Sequence, residues 1–565
     1  MSVGVVNRTL PSLTLNQGTK LNLTATAAGP GLSYLWLRDG QPIPDASKVA
    51  GTATKTLSIS DVQSDEAGDY TCVIGMAGTT DTIETLPATI SVRLKPVVTP
   101  PPFTNGVISG VVNSQFTADN GATKFTATGL PSGVTLNLLG LLSGRPTRIG
   151  NYKMMVTASN LAGNSPPVQI DWQVEDFPLS ARGTWNGLVE RHSSLNAGFG
   201  GRLTITVAST GTYTGLVTLG AKSYAWSSRI DALAGNANPT TPFSISRGTL
   251  LTPLAGSFTL DLPTGTLTGS ISDGTNQAGL SAARNSWSAT IKPVPVTTVH
   301  NAALEVPAGF VGMALYPQGH GHTTLTLGTT GIVTWAGKLA DATTLTGSTT
   351  LGPAGQASIH AMLYTNTGSA QGWSTVTLAT GLVDGSLSWV KAPQPVASTT
   401  RSYKDGIPLH TLTVRGARYT RPAIGSMIIG LDPQPATGPL VNNARLHFTG
   451  PPLTPALDQL FQITKTNTAI MPTLLTVNPQ SVRITLNAIT GTMTGTFAFS
   501  NNDPFDLIAP IAKILRSATY SGLLITRPDL TQGVGFFNLA ELPDVPGEKS
   551  TATPVVSGKA ELVRP

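Results

Sequence analysis

Apolar and polar residues alternate along this chain in short runs, the two-residue period of strands with one face buried and the other wet. Leu21-Asn22-Leu23-Thr24-Ala25, Tyr34-Leu35-Trp36-Leu37 and Thr56-Leu57-Ser58-Ile59-Ser60 are the first of these runs, and Arg38-Asp39-Gly40 supplies a turn between them. Beyond residue 179 one theme recurs: a strand, a glycine-centred turn, a second strand. Residues 203–207 turn through Gly211 into 213–217, and 257–261 turn through Gly265 into 267–271. Residues 323–337, 375–390 and 482–497 repeat the pattern. Glycine tolerates positive φ at the turn, so each is expected to be a hairpin. Five hairpins of one kind point to duplication, each unit needing its neighbours for burial. A short helix is expected between Phe505 and Leu515, interrupted at Pro510.

With 565 residues the chain exceeds a single hydrophobic core, and about three to five domains are expected. Charged residues make up 11%, under half of the roughly 25% usual in soluble domains, so solubility rests on hydroxyls and amides. The net charge of +6 is the difference between 35 basic and 29 acidic residues. No basic run concentrates it, and no nucleic-acid partner is expected. Cys72 is the single cysteine, which excludes an intrachain disulfide and a four-cysteine zinc site. The first residues lack the basic start and apolar core of a signal peptide, and no stretch is long and apolar enough for a membrane helix. Lipid-facing strands need about 9 to 11 residues and aromatic girdles. Most candidate strands are about 5 to 8 residues and the tryptophans are scattered, so membrane insertion is not expected.

Tyr34-x-Trp36 followed by Asp65-x-x-Gly68-Asp69-Tyr70-x-Cys72 makes residues 10–95 resemble the immunoglobulin-like domains common in bacterial surface proteins. The resemblance implies structural roles for Trp36 as the core indole and for Tyr70, whose hydroxyl bonds back to the backbone. The family's second core cysteine would fall near Ala25, so Cys72 is expected as a buried small hydrophobe. A stiff Pro-rich link, residues 96–102, follows. Gly129-Leu130-Pro131-Ser132-Gly133, Ser143-Gly144-Arg145-Pro146-Thr147 and Thr157-Ala158-Ser159-Asn160 then resemble a cadherin-like immunoglobulin domain of bacterial exported proteins. Some relatives of that family bind calcium or glycans. Asp119, Asp171 and Asp176 are not spaced as an oxygen cage, and a spacer is expected. The later hairpins resemble Gly-rich repeats of large exported bacterial proteins.

The fold class is therefore all-β: an immunoglobulin-like sandwich over residues 1–97, a second, cadherin-like sandwich over 98–178, and a large antiparallel β region over 179–555. That region reads as a barrel-like meander, either one large barrel or units 179–293, 300–392 and 401–555. The segment around Tyr520 echoes the one around Trp185, which a circular sheet pairing the two would explain.

No nucleophile elbow, zinc helix or phosphate loop is present, so no catalytic residue, metal site or cofactor is assigned. His320 and His322 read as two exposed imidazoles on a turn without a third ligand. Trp185, Trp226, Trp335 and Trp373 are candidate ligand-stacking residues, each with a place in the core as the alternative. The expected function is nonenzymatic: adhesion or ligand recognition by a secreted or cell-surface protein, whose partner is a glycan or a surface protein. Its alternatives are a self-associating structural subunit of a layer or fibre, or a carbohydrate-active enzyme with Glu190 and Asp273 as the pair to test.

Overall fold

Because apolar side chains recur at every second position, the chain lies mostly in antiparallel strands; Leu13–Asn16 with Ala88–Arg93 and Gly106–Val107 with Val168–Glu175 are parallel pairs. The computed structural model describes residues 4–249, 251–288, 292–294, 296–451, 453–507 and 510–565. These fall into two units, Met1–Phe177 with Asp231–Gly235, and Pro178–Ile230 with Asn236–Pro565.

In the first unit Leu13–Asn16, Ala88–Arg93, Gly68–Met76, Leu32–Arg38 and Gln41–Pro42 form one sheet, and Leu21–Thr24, Thr56–Ile59 and Val49–Ala50 form another. One core joins them. Trp36 and Cys72 face each other in register and are buried with Ala25, Leu23 and Ile59. The Trp36 indole donates to Thr54 O at 2.8 Å, and the Tyr70 hydroxyl to Glu66 O at 2.7 Å. A second sandwich sets Val168–Glu175, Gly150–Asn160 and Lys124–Thr128 against Val112–Gln115, Leu141–Gly144 and Val134–Leu136. Phe116, Phe125, Leu142, Met154 and Trp172 fill it.

The second unit holds three eight-stranded sheets. The first runs from Gly183–Val189 to Gln277–Arg284, the second from Thr298–Glu305 to Ile407–Arg418, and the third from Ala444–Gly450 to Val555–Val563. In each, consecutive strands meander and the first pairs with the last. The sheets thus curl into near-barrels whose unpaired seam lies inside the meander. It falls between Lys222–Arg229 and Thr240–Ile245, between Thr344–Thr350 and Gln356–Leu363, and between Ala469–Ile470 and Arg483–Asn487. Trp185 and Tyr520 lie in different sheets, so the circular sheet expected to join them does not form; closure happens within each eight-stranded unit. Ile407–Arg418 completes the second sheet, beyond the 300–392 segment read from the sequence.

All five turn glycines have positive φ, from 65° at Gly265 to 77° at Gly331, and each joins two paired strands. Where a helix was expected between Phe505 and Leu515, the described residues 505–507 and 510–512 are turn and loop and Lys513–Leu515 open the 15-residue strand Lys513–Arg527; Ile508 and Ala509 lie outside the described residues. Most strands of the second unit run five to eight residues, as expected, although Ile407–Arg418 has 12 and Leu530–Ala540 has 11. Apolar side chains point inward: Leu203, Ile205 and Val207 are buried while Arg202 and Thr206 are exposed. The second sheet encloses Leu325, Val333, Trp335 and Trp389, and the third encloses Phe448, Phe461, Phe497 and Phe537.

The repetition extends to how the sheets dock. Trp185-Asn186-Gly187-Leu188-Val189-Glu190 and His300-Asn301-Ala302-Ala303-Leu304-Glu305 occupy equivalent first strands. Asn186 Oδ1 accepts from Thr204 Oγ1 at 2.9 Å, and its amide donates to Thr350 Oγ1 of the second sheet at 2.7 Å. Asn301 Oδ1 accepts from Thr324 Oγ1 at 3.1 Å, and its amide donates to Thr490 O and Leu524 O of the third, both at 3.2 Å. One asparagine in each of the first two sheets thus reaches the next sheet.

Candidate binding site

A cavity of about 590 Å³ opens where the 392–406 loop of the second sheet meets the 541–554 loop of the third. Leu315, Arg401, Tyr403, Lys404, Asp405 and Glu541 are among its lining residues. Arg401 is fixed across the junction, donating to Thr553 O at 2.7 Å and Ser550 O at 2.6 Å. Lys404 Nζ donates to Val396 O at 2.9 Å. The Tyr403 hydroxyl accepts from Ser557 N–H at 3.1 Å, and burial raises its pKa well above the usual value. Asp405 and Glu541 are exposed.

Behind the cavity lies a buried polar cluster. Lys391 Nζ donates to Ser402 O at 2.6 Å and stands 4.6 Å from the centre of the Tyr364 ring, a cation over a π face. The Tyr364 hydroxyl donates to Asp341 Oδ2 at 2.6 Å and accepts from the Trp389 indole at 3.0 Å. Asp341 Oδ1 takes the Thr343 N–H at 3.0 Å. Desolvation, then the Asp341 charge, holds Tyr364 protonated far above neutral pH, and burial lowers the pKa of Lys391. Tyr364, Thr365 and Asn366 have φ of 53°, 54° and 70°, a left-handed run costing about 1–3 kcal/mol per residue. The hydrogen bonds of Tyr364 and Thr367 hold it in place. Burial thus keeps both tyrosines in their protonated form.

The four candidate tryptophans separate. Trp185 is fully enclosed and Trp335 nearly so, which leaves neither a free face for a ligand. Trp226 is half-buried, stacked on Phe243 at 5.2 Å with its indole nitrogen 3.2 Å from the Tyr213 hydroxyl. Trp373 alternates in register with the core residues Ala370 and Val376 and faces outward, half-buried. Glu190 Oε2 accepts the Gly279 N–H at 3.2 Å, while Asp273 accepts from the backbone of Asn276 and Thr275. Each carboxylate is thus committed to its own stretch of backbone. Among the described residues no group of three or more His, Cys, Asp or Glu is placed to hold a metal ion, and no helix is long and apolar enough to cross a membrane.

His320 and His322 are not the exposed turn expected. Both are shut in against the third sheet: His322 Nε2 lies 2.5 Å from Ser521 Oγ, its ring 5.9 Å from Phe536, and His320 N–H donates to Gly535 O. Desolvation pulls their pKa values down to about 3 for His320 and about 4 for His322. The Tyr364 cluster was not recognised in the sequence because its members are scattered. One signal was there: Lys391 continues the inward series Leu387, Trp389, a charge where an apolar side chain belongs.

Two immunoglobulin models match the N-terminal part of the chain. Residues 11–85 match the family described as Immunoglobulin domain, and residues 95–175 the one described as Putative Ig domain. No curated protein matches the chain. It is similar to the N-terminal Ig1-2 module of the Drosophila receptor protein tyrosine phosphatase DLAR, at 18% identity over 31% of this chain and 100% of that one, TM-score 0.15. Extracellular domains 3–5 of Drosophila OTK are 13% identical over 40% and 96%, TM-score 0.17. Domain I10 of titin is 18% identical over 16% and 99%, TM-score 0.14. Scores this low carry no argument about function. These structures are of Drosophila proteins and titin, and the bacterial families expected from the sequence are corrected accordingly. The Trp36, Tyr70 and Cys72 pattern follows from packing a sandwich and marks no lineage.

Proposed function

We propose that this is a nonenzymatic, extracellular or cell-surface protein whose three near-barrel sheets recognise a glycan or a surface protein, with the sandwiches of residues 1–97 and 98–178 as spacers. The observation that carries the reading is Trp373, an outward, half-buried indole flanked in register by the exposed Ser386 and by Ser358, which is buried with its hydroxyl 3.0 Å from Thr349 Oγ1. An aromatic face beside one exposed hydroxyl suits a sugar ring or a peptide. The cavity around Arg401 and Tyr403 offers a second recessed surface. The matched immunoglobulin models support the location, and the turn motifs of residues 129–160 support a cadherin-like second sandwich. Apolar interiors with threonine and arginine outside are the reverse of a lipid-facing barrel, which supports a protein that does not insert. Binding of the full chain to a broad glycan and surface-protein array tests the reading. Trp373→Ala is expected to weaken the hit at least tenfold; a hit that ignores this substitution removes Trp373 from the site, and no hit at all removes the reading.

A further inference from the structure

The docking asparagines sit at the centre of a three-strand pattern that repeats once and is then broken. In the first sheet Asn186, fourth residue of the first strand, lies in register between Thr204 of the second strand and Ala283 of the last. In the second sheet Asn301 is again fourth, between Thr324 and Ala417. The fourth residue of the third sheet's first strand is His447, between Asp458 and Glu561. Threonine, asparagine and alanine thus give way to aspartate, histidine and glutamate at the same three places.

The next sheet seats closely on the neutral pattern. A Cβ built on Gly352 of the second sheet would come within 2.7 Å of the Ala283 Cβ, and one on Gly491 of the third within 2.6 Å of the Asn301 amide nitrogen. Ala283 and Ala417 are accordingly buried although they share the outward face of their asparagines. On the third sheet the same face is open: the side chains of His447 and Asp458 are 30% and 48% exposed, and that of Arg445 is 38% exposed. His447 Nδ1 lies 2.8 Å from Asp458 Oδ1, and Arg445 Nε lies 3.7 Å from the same oxygen. Glu561 Oε1 accepts from the Gln532 amide at 3.1 Å. A sheet laid over these groups would strip water from two carboxylates and a guanidinium, and an uncharged face returns nothing for that loss.

We propose that Asp458, His447 and Glu561 form a cap that keeps another eight-stranded sheet from stacking on the third, and that the sheet it excludes is the first sheet of a second copy of this chain. Gln356–Leu363, the fifth strand of the second sheet, packs against the first and last strands of the first sheet. Its counterpart in the first sheet, Thr240–Ile245, turns Thr240, Pro242 and Ser244 to solvent, all uncharged. That strand offers the receiving surface. Docking of the third sheet on it would join copies head to tail, the kind of contact that continues into open filaments when it does not close. Polar outer faces keep repeat arrays soluble in the same way. The cap shares no residue with the cavity and does not depend on Trp373.

The test restores the neutral pattern in the full chain with His447→Asn/Asp458→Thr/Glu561→Ala. Sedimentation velocity over a hundredfold range of concentration is expected to find the parent monomeric throughout. The variant is expected to gain mass reversibly with concentration at an unchanged circular dichroism spectrum. Asp458→Asn/Glu561→Gln, which removes both charges at nearly constant shape, is expected to shift the same way. Adding Ser244→Asp on the receiving strand should return either variant to the monomer. A parent that already associates, or two variants that stay monomeric, overturns the cap; association that survives Ser244→Asp overturns the assignment to the first sheet.

Discussion

Gly215 lies directly across from Trp226 in the first sheet and beneath its indole: a Cβ built on Gly215 would come within 2.3 Å of the ring. The same relation recurs in the other sheets. A Cβ on Gly347 would lie 2.3 Å from Trp335, one on Gly495 2.4 Å from Tyr520, and one on Gly558 2.3 Å from Phe537. A cross-strand glycine relieves crowding on the concave inner face, and the ring covers the backbone it exposes. In the first sheet Trp226 also reaches across the seam to stack on Phe243, so an aromatic contact joins strands that no ladder joins.

Gly347→Ala tests this packing. Trp335 is buried and has nowhere to retreat, so the added methyl is expected to destabilise the second unit by about 1–3 kcal/mol. Gly309→Ala serves as the control, since a Cβ there meets nothing within 4 Å, and its effect should stay within about 0.5 kcal/mol. Urea unfolding followed by tryptophan fluorescence reads both; equal midpoints would show that the ring is free to move.

The docking asparagines are expected to differ in weight. Asn301 is fully buried and supplies donors to two backbone carbonyls. Asn301→Ala strands both, at about 1–3 kcal/mol for each buried group left unsatisfied. Asn186 is half-buried and donates to one hydroxyl, which can turn to another partner, so Asn186→Ala should cost less. Thermal unfolding of the two variants checks the order. A larger loss at Asn186 would mean that the first junction, not the second, carries the array.

The local part of this architecture was legible and the non-local part was not. Gly211, Gly265, Gly331, Gly381 and Gly491 marked five hairpins because a tight turn and its alternating flanks are written within about fifteen residues. The pairing of Gly183–Val189 with Gln277–Arg284 spans the whole meander, and nothing local records it. The resemblance between the Trp185 and Tyr520 segments was real in sequence, but it reflects repetition of a strand type rather than contact between the two. The imidazoles of His320 and His322 read as exposed because glycines surround them; burial comes from the third sheet, more than 190 residues downstream at Ser521. The cavity cluster failed for the same reason, since Asp341, Tyr364 and Lys391 meet only after three separate loops close.

Cys72 gives a prediction about the first sandwich. Burial pushes its thiol up to about 11, and it is fully enclosed opposite Trp36. The thiolate is the reactive form, so a thiol reagent such as Ellman's is expected to leave the folded chain unmodified at pH 8 and to titrate one thiol in denaturant. Rapid labelling without denaturant would mean that the sandwich opens on the time scale of the assay.

Acid should loosen the junction between the second and third sheets, and the sign follows from the two histidines. Their folded pKa values, about 3 for His320 and about 4 for His322, lie below the ordinary 6.5. The unfolded chain therefore takes up protons that the folded chain refuses; this share of stability is whole above pH 6.5 and is lost as pH falls towards 4. Lys559 and Arg415 face His320, and Lys338 faces His322, all opposing a positive ring. Near pH 5 each histidine contributes close to one proton, so the pair adds about 2.7 kcal/mol per pH unit to the slope. His300 and His360, both pulled down to about 4, add in the same direction. His410 is lowered by burial as well, so stability measured by urea should fall faster from pH 7 to 6 to 5, with the steepness levelling off towards pH 4.5, and a His320→Gln/His322→Gln variant should lose a substantial share of that steepness. An unchanged slope in the variant would mean that the rings are already charged in the folded protein and that the His322–Ser521 contact is made by an imidazolium.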